Sequence, residues 1–483
     1  MEGSGAEKAP VRSWWLAQAL AADPGEPCPP LAGSTQVDVC IVGGGYTGLW
    51  TAIELAERDP ALKVVLLERD ICGTGASGRN GGFVTAWWDQ LRELQQAFGR
   101  EHALFLADAS EAAVVDIGSF CETEGIDAHY RSGGYLWAAA GPAQLGVYDR
   151  AVAACAAIGR ADALRLVDGT ECRRRIGSPV LLGGALMATS ASVQPALLAR
   201  GLRKAALARG VRIYEGSPMR RLDSGPSPSI VTPSGRVQAA AVVLATGAWT
   251  ARQRHLRRAI VPVASQIVVT EPIPGRVGGM GWTGGELFCD GRVLLHYAHV
   301  TRDGRIAFGG PARTIGSAGR ISARMHGDER VVPELISAFR TLFPDLADCC
   351  FTHSWAGPVD WTAGRLHLPF FDRLGGDGRV VYGAGFAGNG VGPSRVAGRI
   401  LASLALDHDD EWSRCGLVGG PRALFPPEPF RTLGGHAVRA ALRRKEERQQ
   451  LGRRVDPLTR GLAALVRAGL PPSSKGREKP PRA

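Results

Sequence analysis

A chain of 483 residues is too long for one hydrophobic core, and 45% apolar against 21% charged residues is a globular balance that excludes overall disorder. No apolar run is long enough for a membrane-spanning helix. The net charge of +11 is concentrated late: His436 to Ala483 holds 13 Lys and Arg against 4 acids, leaving 44 against 42 elsewhere, so the body carries no polyanion-binding excess and no nucleic-acid partner is expected.

In chain order, Lys8 and Arg12 precede a short apolar stretch at 14–22 that imitates a signal peptide. Gln18 interrupts the stretch and two Trp open it, so residues 1–35 read as an N-terminal docking segment. Residues 37–42 read as a buried strand running into Gly43-Gly44-Gly45-Tyr46-Thr47-Gly48, then a helix over 49–58 and a second strand over 63–67 that ends at Glu68. In this G-x-G-x-x-G pattern Gly43 permits the tight turn and Gly45 lets the backbone approach a pyrophosphate. Gly48 lets helix and strand pack closely. The helix N-terminus favours the phosphates, and Glu68 is placed for a ribose hydroxyl. The polar, glycine-dense loop Ser77-Gly78-Arg79-Asn80-Gly81-Gly82 exceeds what a mobile nicotinamide cofactor needs; it suits a buried flavin that requires many backbone donors.

Residues 89–161 read as mainly helical, interrupted by a short strand at 133–138. Gln194-Pro195 opens a helix over 196–209, followed by strands at 211–214 and 240–247. A β-rich stretch over 260–310 includes strands at 293–297 and 305–309; alternation puts Tyr297 and His299 on one face. A strand at 380–383 leads through Gly383-x-Gly385-x-x-Gly388 into a helix over 393–406. No strand follows that helix, so the glycines form no second nucleotide unit; Gly388-Asn389-Gly390 instead aims a helix N-terminus at the cofactor. Residues 434–450 read as a helix with a solvated Arg-rich face. Asp456-Pro457 caps another, with Leu458, Leu462, Leu465 and Val466 on one face, and 471–483 read as frayed. Ten cysteines lack any C-x-x-C spacing, which excludes a zinc ribbon or dithiol motif; no metal site is expected, and a reducing cytoplasm fits.

Four pieces carry a resemblance: residues 41–48, residues 75–82, Ala245-Thr246-Gly247-Ala248-Trp249 and Gly383-Ala384-Gly385-Phe386. Together they make the chain similar to the FAD-dependent oxidoreductases of the D-amino-acid oxidase and glycine oxidase superfamily. Within it the chain resembles the branch of gamma-glutamylputrescine and aminophosphonate oxidoreductases, and Ser13-Trp14-Trp15, residues 388–394 and Phe425-Pro426-Pro427-Glu428-Pro429-Phe430-Arg431 add to the resemblance to the latter. The resemblance implies an α/β fold: a Rossmann-like, glutathione-reductase-type FAD domain (36–88, 162–255, 351–410) and an inserted α+β substrate domain with a mixed or antiparallel sheet (89–161, 256–350). A basic helical extension (411–483) follows. It implies non-covalent FAD, since no His lies between Glu68 and His102, and Trp355 stands where relatives with covalent flavin carry Cys. It implies hydride transfer from a small amine or amino acid, aminophosphonates included, to flavin N5. The imine is then hydrolysed, and the flavin is reoxidised by O2 or another acceptor.

By the family pattern Glu68 meets the adenosine ribose, Met219 meets adenine through its backbone, and residues 77–82 line the flavin, with Gly247, Gly385, Gly388, Asn389 and Gly390 beside it. Tyr297 and His299 are the candidate catalytic side chains, Trp87, Trp88, Trp355 and Trp361 candidate walls, and Arg79 the leading anion-binding side chain. None of the six lysines falls in the β-rich stretch, and Ser265-Gln266 stands where related oxidases place a cation; His299 or an Arg then takes that role, or the acceptor is not O2. A polyamine-derivative oxidase, a NAD-linked dehydrogenase and a flavin-fold scaffold with a nucleic-acid- or membrane-binding tail stay open at this point. The oligomeric state is not legible.

Overall fold

The computed structural model describes residues 12–375, 378–467 and 470; the frayed end expected at 471–483 lies outside them. Its first layer is an eight-stranded sheet whose centre runs Gly235–Leu244, Gly33–Val42, Val64–Leu67, Arg212–Tyr214, all parallel. Val380–Ala384 joins parallel to Gly235–Leu244 on the other side. Val64–Leu67 is buried throughout, the continuous apolar reading of a strand covered on both faces. The helices Tyr46–Arg58 and Val391–Ala405 pack together on one face, with Leu49, Trp50 and Ile53 fully buried. Each such aliphatic side chain contributes roughly 1.5–3 kcal/mol relative to exposure. Their approach is close: a Cβ on Gly398 would lie 2.8 Å from the Cβ of Trp50.

The second layer is a mixed eight-stranded sheet in the order Phe351–Thr362, Ile260–Thr270, Ile306–Ile315, Tyr297–Val300, Leu287–Asp290, Tyr135–Ala139, Gly183–Met187, Arg165–Asp168. All of its pairs are antiparallel except Leu287–Asp290 with Tyr135–Ala139. The α/β fold with a second, mixed sheet is the one expected.

Local differences from the sequence reading have visible causes. The long helix Leu91–Thr123 is kinked at Gly99, whose φ of 81° and extended ψ break the helical course, and the later part of 89–161 is helical only in a short 3-10 turn, Pro142–Gln144, and the α-helix Asp149–Ala156. The strand expected at 293–297 begins at Tyr297 instead. The amides of Val293 and Leu294 donate to Glu446 Oε1, at 2.8 and 3.1 Å, in place of a strand neighbour. The tail helix runs Phe430–Gln450, and its Arg face is divided: Arg443 and Arg444 are exposed, Arg439 is half-buried and Arg431 is buried. In the last helix, Pro457–Ala464, Leu458 is exposed, while Leu462 and Val466 pack with Leu442 and Leu294. No helix among the described residues is long and apolar enough to cross a membrane.

Candidate active site

Both sheets open onto one elongated cavity of about 1790 Å³. At its dinucleotide end the strand Gly33–Val42 delivers Gly43 and Gly45 to the mouth of the helix Tyr46–Arg58. That helix starts three residues earlier than its apolar pattern suggests, because extended Gly45 acts as N-cap and Ser77 Oγ accepts from the Tyr46 amide at 2.9 Å. Gly43 has a φ of 115°, and a Cβ there would meet the Ala245 carbonyl at 2.3 Å. Gly45 has no side chain of its own to cap the helix, so the remaining first-turn amides face the cavity at Thr47. The helix Val391–Ala405 enters the same cavity at its N-terminus, where Gly390 likewise supplies no side-chain cap. Two positive helix ends on one elongated cavity suit a ligand bearing negative charge at two separate places.

Glu68 closes this end. Its carboxylate accepts from the amides of Gly44 at 2.8 Å and Asp70 at 2.9 Å; burial pushes its pKa up while those amides pull it down. Met219 and Gly247 line the cavity, as does Trp249, over whose ring Arg69 sits at 4.1 Å.

The loop at 77–82 divides its labour. Ser77, Arg79, Asn80 and Gly81 line the cavity, whereas Gly82, Gly48 and Gly385 do not. Those three serve the backbone. A Cβ on Gly48 would lie 1.9 Å from the Gly43 carbonyl oxygen, and one on Gly82 2.2 Å from that of Val193. One on Gly385 would lie 2.5 Å from the Thr362 methyl. Asn80 ties its own turn: Oδ1 accepts from the Gly82 amide at 2.7 Å, and Nδ2 donates to the carbonyls of Ala76 and Ser77. Arg79 was expected to bind an anion, but it is buried and directs Nε to the Thr74 carbonyl at 2.8 Å and Nη1 to the Ala356 carbonyl at 3.1 Å. The N-terminal helix Trp14–Ala22 braces the loop from behind, with Trp15 Nε1 donating to the Asn80 carbonyl at 3.1 Å.

At the other end the second sheet supplies Tyr135, Cys289, Tyr297 and Ser265 to the wall. Tyr297 Oη and Ser265 Oγ are hydrogen-bonded at 2.9 Å, and burial raises the phenol to about 12, so it stays neutral and able to donate. Tyr297 and His299 do share a face, both packed on Phe83. Only Tyr297 reaches the cavity; His299 is buried behind Gly82 and stacks on Trp15. Burial lowers His299 to about 4, so at neutral pH it is uncharged and does not fill the cation role expected of it. Trp361 lines the cavity, while Trp87, Trp88 and Trp355 are core. Cys349 and Cys350 lie off the wall; Cys289 is on it, its thiol pushed up by burial and correspondingly inert.

Three features escaped sequence reasoning. Asp360 Oδ2 accepts from the Gly385 amide at 2.6 Å, and the Phe386 and Ala387 amides also support its charge; burial still raises it to about 6. It holds the glycine turn that presents Gly388, Asn389 and Gly390, and Asn389 Oδ1 accepts from Thr85 Oγ1 at 3.1 Å. Asp89 lines the wall with one carboxylate oxygen unpartnered among the described residues, and burial lifts it to about 7. Finally, Phe430, Val438, Arg439 and Leu442 of the tail helix form part of the same cavity. The single sequence signal for Asp360 was an acid next to Trp361, too slight to single out.

Comparison with known proteins agrees with this geometry. The family model described as FAD dependent oxidoreductase (DAO) matches residues 38–404. Gamma-glutamylputrescine oxidoreductase of Escherichia coli (strain K12) is 31% identical over 376 residues, 77% of this chain and 84% of that protein. The oxidoreductase OrdL of Haemophilus influenzae is 28% identical over 80% of this chain and 86% of its own. Among solved structures, glycine oxidase from Geobacillus kaustophilus superposes with a TM-score of 0.64 at 23% identity, covering 78% of this chain and 96% of that one. L-proline dehydrogenase from P.horikoshii also gives 0.64, at 19% identity, over 78% of this chain and 94% of its own; these two likenesses establish the fold. The chain belongs to the family of FAD-dependent oxidoreductases that act on the C–N groups of amines and amino acids, and FAD is its cofactor.

Proposed function

We propose that this protein oxidises the C–N bond of a small amine or amino acid bearing an acidic group, an aminophosphonate or an amino acid, in a single cavity that also holds FAD non-covalently. The observation that carries the reading is the continuity of that cavity, from the glycine loop at Gly43 and Gly45 to the wall of Tyr297 and Ser265. When bound, FAD supplies the two-electron acceptor for the substrate C–H, and water hydrolyses the resulting imine to a carbonyl compound and an amine or ammonia.

The chain's own residues bind and position. The open amides at Gly45 and Thr47 suit the pyrophosphate, Glu68 the ribose, and the Met219 backbone the adenine. The N-terminus at Gly390, held by Asp360 through the preceding turn, suits the end of the flavin where negative charge collects. Tyr297, neutral and oriented by Ser265, offers a hydroxyl to the substrate and is the catalytic residue of this reading; His299 supports the loop behind it. Ten unpaired cysteines favour a reducing cytoplasm. The acceptor is O2 or another oxidant.

A second reading, a gamma-glutamylputrescine-type oxidase, has the 31% identical Escherichia coli relative in its favour. The test is anaerobic: yellow protein is mixed with an amine panel that includes 2-aminoethylphosphonate, glycine and gamma-glutamylputrescine, and bleaching of the flavin band is followed. Bleaching by 2-aminoethylphosphonate or glycine is expected. Bleaching by gamma-glutamylputrescine alone selects the second reading, and no bleaching by any amine overturns both.

A further inference from the structure

We propose that Arg439, on the C-terminal helix, is the anchor for the acidic group of the substrate, so that a segment outside the family core completes the binding site and selects carboxylate- or phosphonate-bearing amines. The inference rests on the amine-oxidising reading above.

Arg439 lies beyond residues 38–404 that match the family, yet its helix is fixed to the body at both ends. At the start, Arg431 pairs with Glu428 and donates to the Arg257 carbonyl, while Glu428 accepts from the Ala318 amide at 2.8 Å. Near the far end, Glu446 accepts from the Val293 and Leu294 amides, and Ala441 and Leu442 pack with Leu294 and Ala463. These ties set the rotation of the helix. Phe430, Gly434, Val438 and Leu442, spaced by four, form one stripe on the cavity wall, and Arg439 stands beside it.

What surrounds the guanidinium gives it a purpose. Arg439 is half-buried, and the charges acting on it are two further cations, Arg313 and Arg443. Both are already engaged, Arg313 with Glu334 and Arg443 with Glu447. No ion pair or hydrogen bond joins Arg439 to another described residue; burial and its like-charged neighbours lower it to about 10, which leaves it charged at neutral pH. A cation held at a cavity wall among cations is costly unless an anion arrives. Arg431, the other tail cation lining this wall among the described residues, is spent on Glu428, which leaves Arg439 placed to receive a ligand. A planar guanidinium takes a carboxylate or a phosphonate through two parallel hydrogen bonds. The wall nearby is otherwise apolar or neutral (Thr314, Ile315, Val438, Leu442), which strengthens that contact.

The test uses holoenzyme and two non-oxidisable probes, acetate and methylphosphonate, titrated against the visible flavin spectrum of wild type, Arg439→Gln and Arg439→Lys. Wild type is expected to bind one or both probes, the tighter one naming the acid. Arg439→Gln should weaken that binding roughly 10- to 100-fold, with partial recovery in Arg439→Lys. With oxidisable amines, KM for acidic ones should rise by a similar factor while kcat, and kcat/KM for uncharged amines, hold. A wild type that binds neither probe, or an Arg439→Gln protein that binds them as tightly as wild type, overturns the proposal. If no amine bleaches wild type, the oxidation reading fails, but the probe titration still decides the role of Arg439.

Discussion

Gly48 and Gly45 belong to one motif but do different work, and alanine at each separates them. A Cβ on Gly48 would lie 1.9 Å from the Gly43 carbonyl oxygen, both atoms being carried by backbone between a buried strand and a buried helix. Ordinary contact, at 3.4 Å or more, then requires the helix and the turn to part by about 1.5 Å, and with Leu49 and Ile53 fully buried nothing nearby yields cheaply. Overpacking of this kind costs about 3 kcal/mol, the upper end of its usual range. For a chain of 483 residues, with an unfolding entropy of about 1 kcal/mol/K, that is a fall in melting temperature of about 3 °C, with or without FAD. A Cβ on Gly45 instead meets Ser77, its Oγ at 2.9 Å and its Cβ at 3.9 Å, and the hydroxyl can rotate away at the cost of its hydrogen bond to the Tyr46 amide, about 1 kcal/mol. Gly45→Ala should therefore melt within a degree or two of wild type once both are stripped of flavin, yet bind FAD far more weakly, because the methyl stands where the pyrophosphate approaches. Thermal melts of apoprotein and FAD titration by fluorescence quenching read the two effects independently. Equal apoprotein stability of Gly48→Ala and wild type would refute the packing account; undiminished FAD affinity in Gly45→Ala would refute the approach account.

Removing the Tyr297 hydroxyl, Tyr297→Phe, should leave the fold intact and lower kcat/KM about 3- to 10-fold, the worth of one hydrogen bond; an unchanged value places the substrate away from Ser265 and Tyr297. His299→Gln should leave the rate of reoxidation by O2 unaltered at neutral pH, since the wild-type imidazole is already uncharged there; a large loss in stopped-flow reoxidation contradicts that. Because His299 is lowered to about 4, it contributes stability that is complete above its ordinary 6.5 and is lost as pH falls toward 4, about 3 kcal/mol at most. Asp360 has the opposite sign: raised to about 6, it favours the fold when protonated, and that contribution is lost as pH rises from about 4 through 6. Melts of His299→Gln and Asp360→Asn across this window should deviate from wild type with opposite slopes, and parallel curves would refute both assignments.

The two ends of the cavity differ in how far the sequence discloses them, and the difference is one of range. The dinucleotide end is written in near neighbours. Gly43, Gly45 and Gly48 are needed because backbone meets backbone within a few residues or across adjacent strands, as Gly43 meets Ala245, and such demands leave glycine in a fixed spacing. Glu68 is legible for the same reason, as the residue that directly follows the strand after the helix. The substrate end is assembled from side chains brought together over long separations, and no spacing records it. Residues 293–297 carry a strand's composition, yet Glu446, some 150 residues away, takes the amides of Val293 and Leu294 and turns the segment into cavity wall. Tyr297 alternates with Ala298 and shares its face with His299, as period two demands, but period two cannot say that Trp15 and Gly82 cover His299 and leave Tyr297 open. The basic tail is the sharpest instance. Counted as charge, it reads as a solvated appendage; in the fold, Arg431 is a tie to the body, Arg443 and Arg444 face water, and Arg439 stands on the cavity wall without an acid among the described residues. One helix thus holds three kinds of arginine, and only the rotation imposed by its two anchors tells them apart.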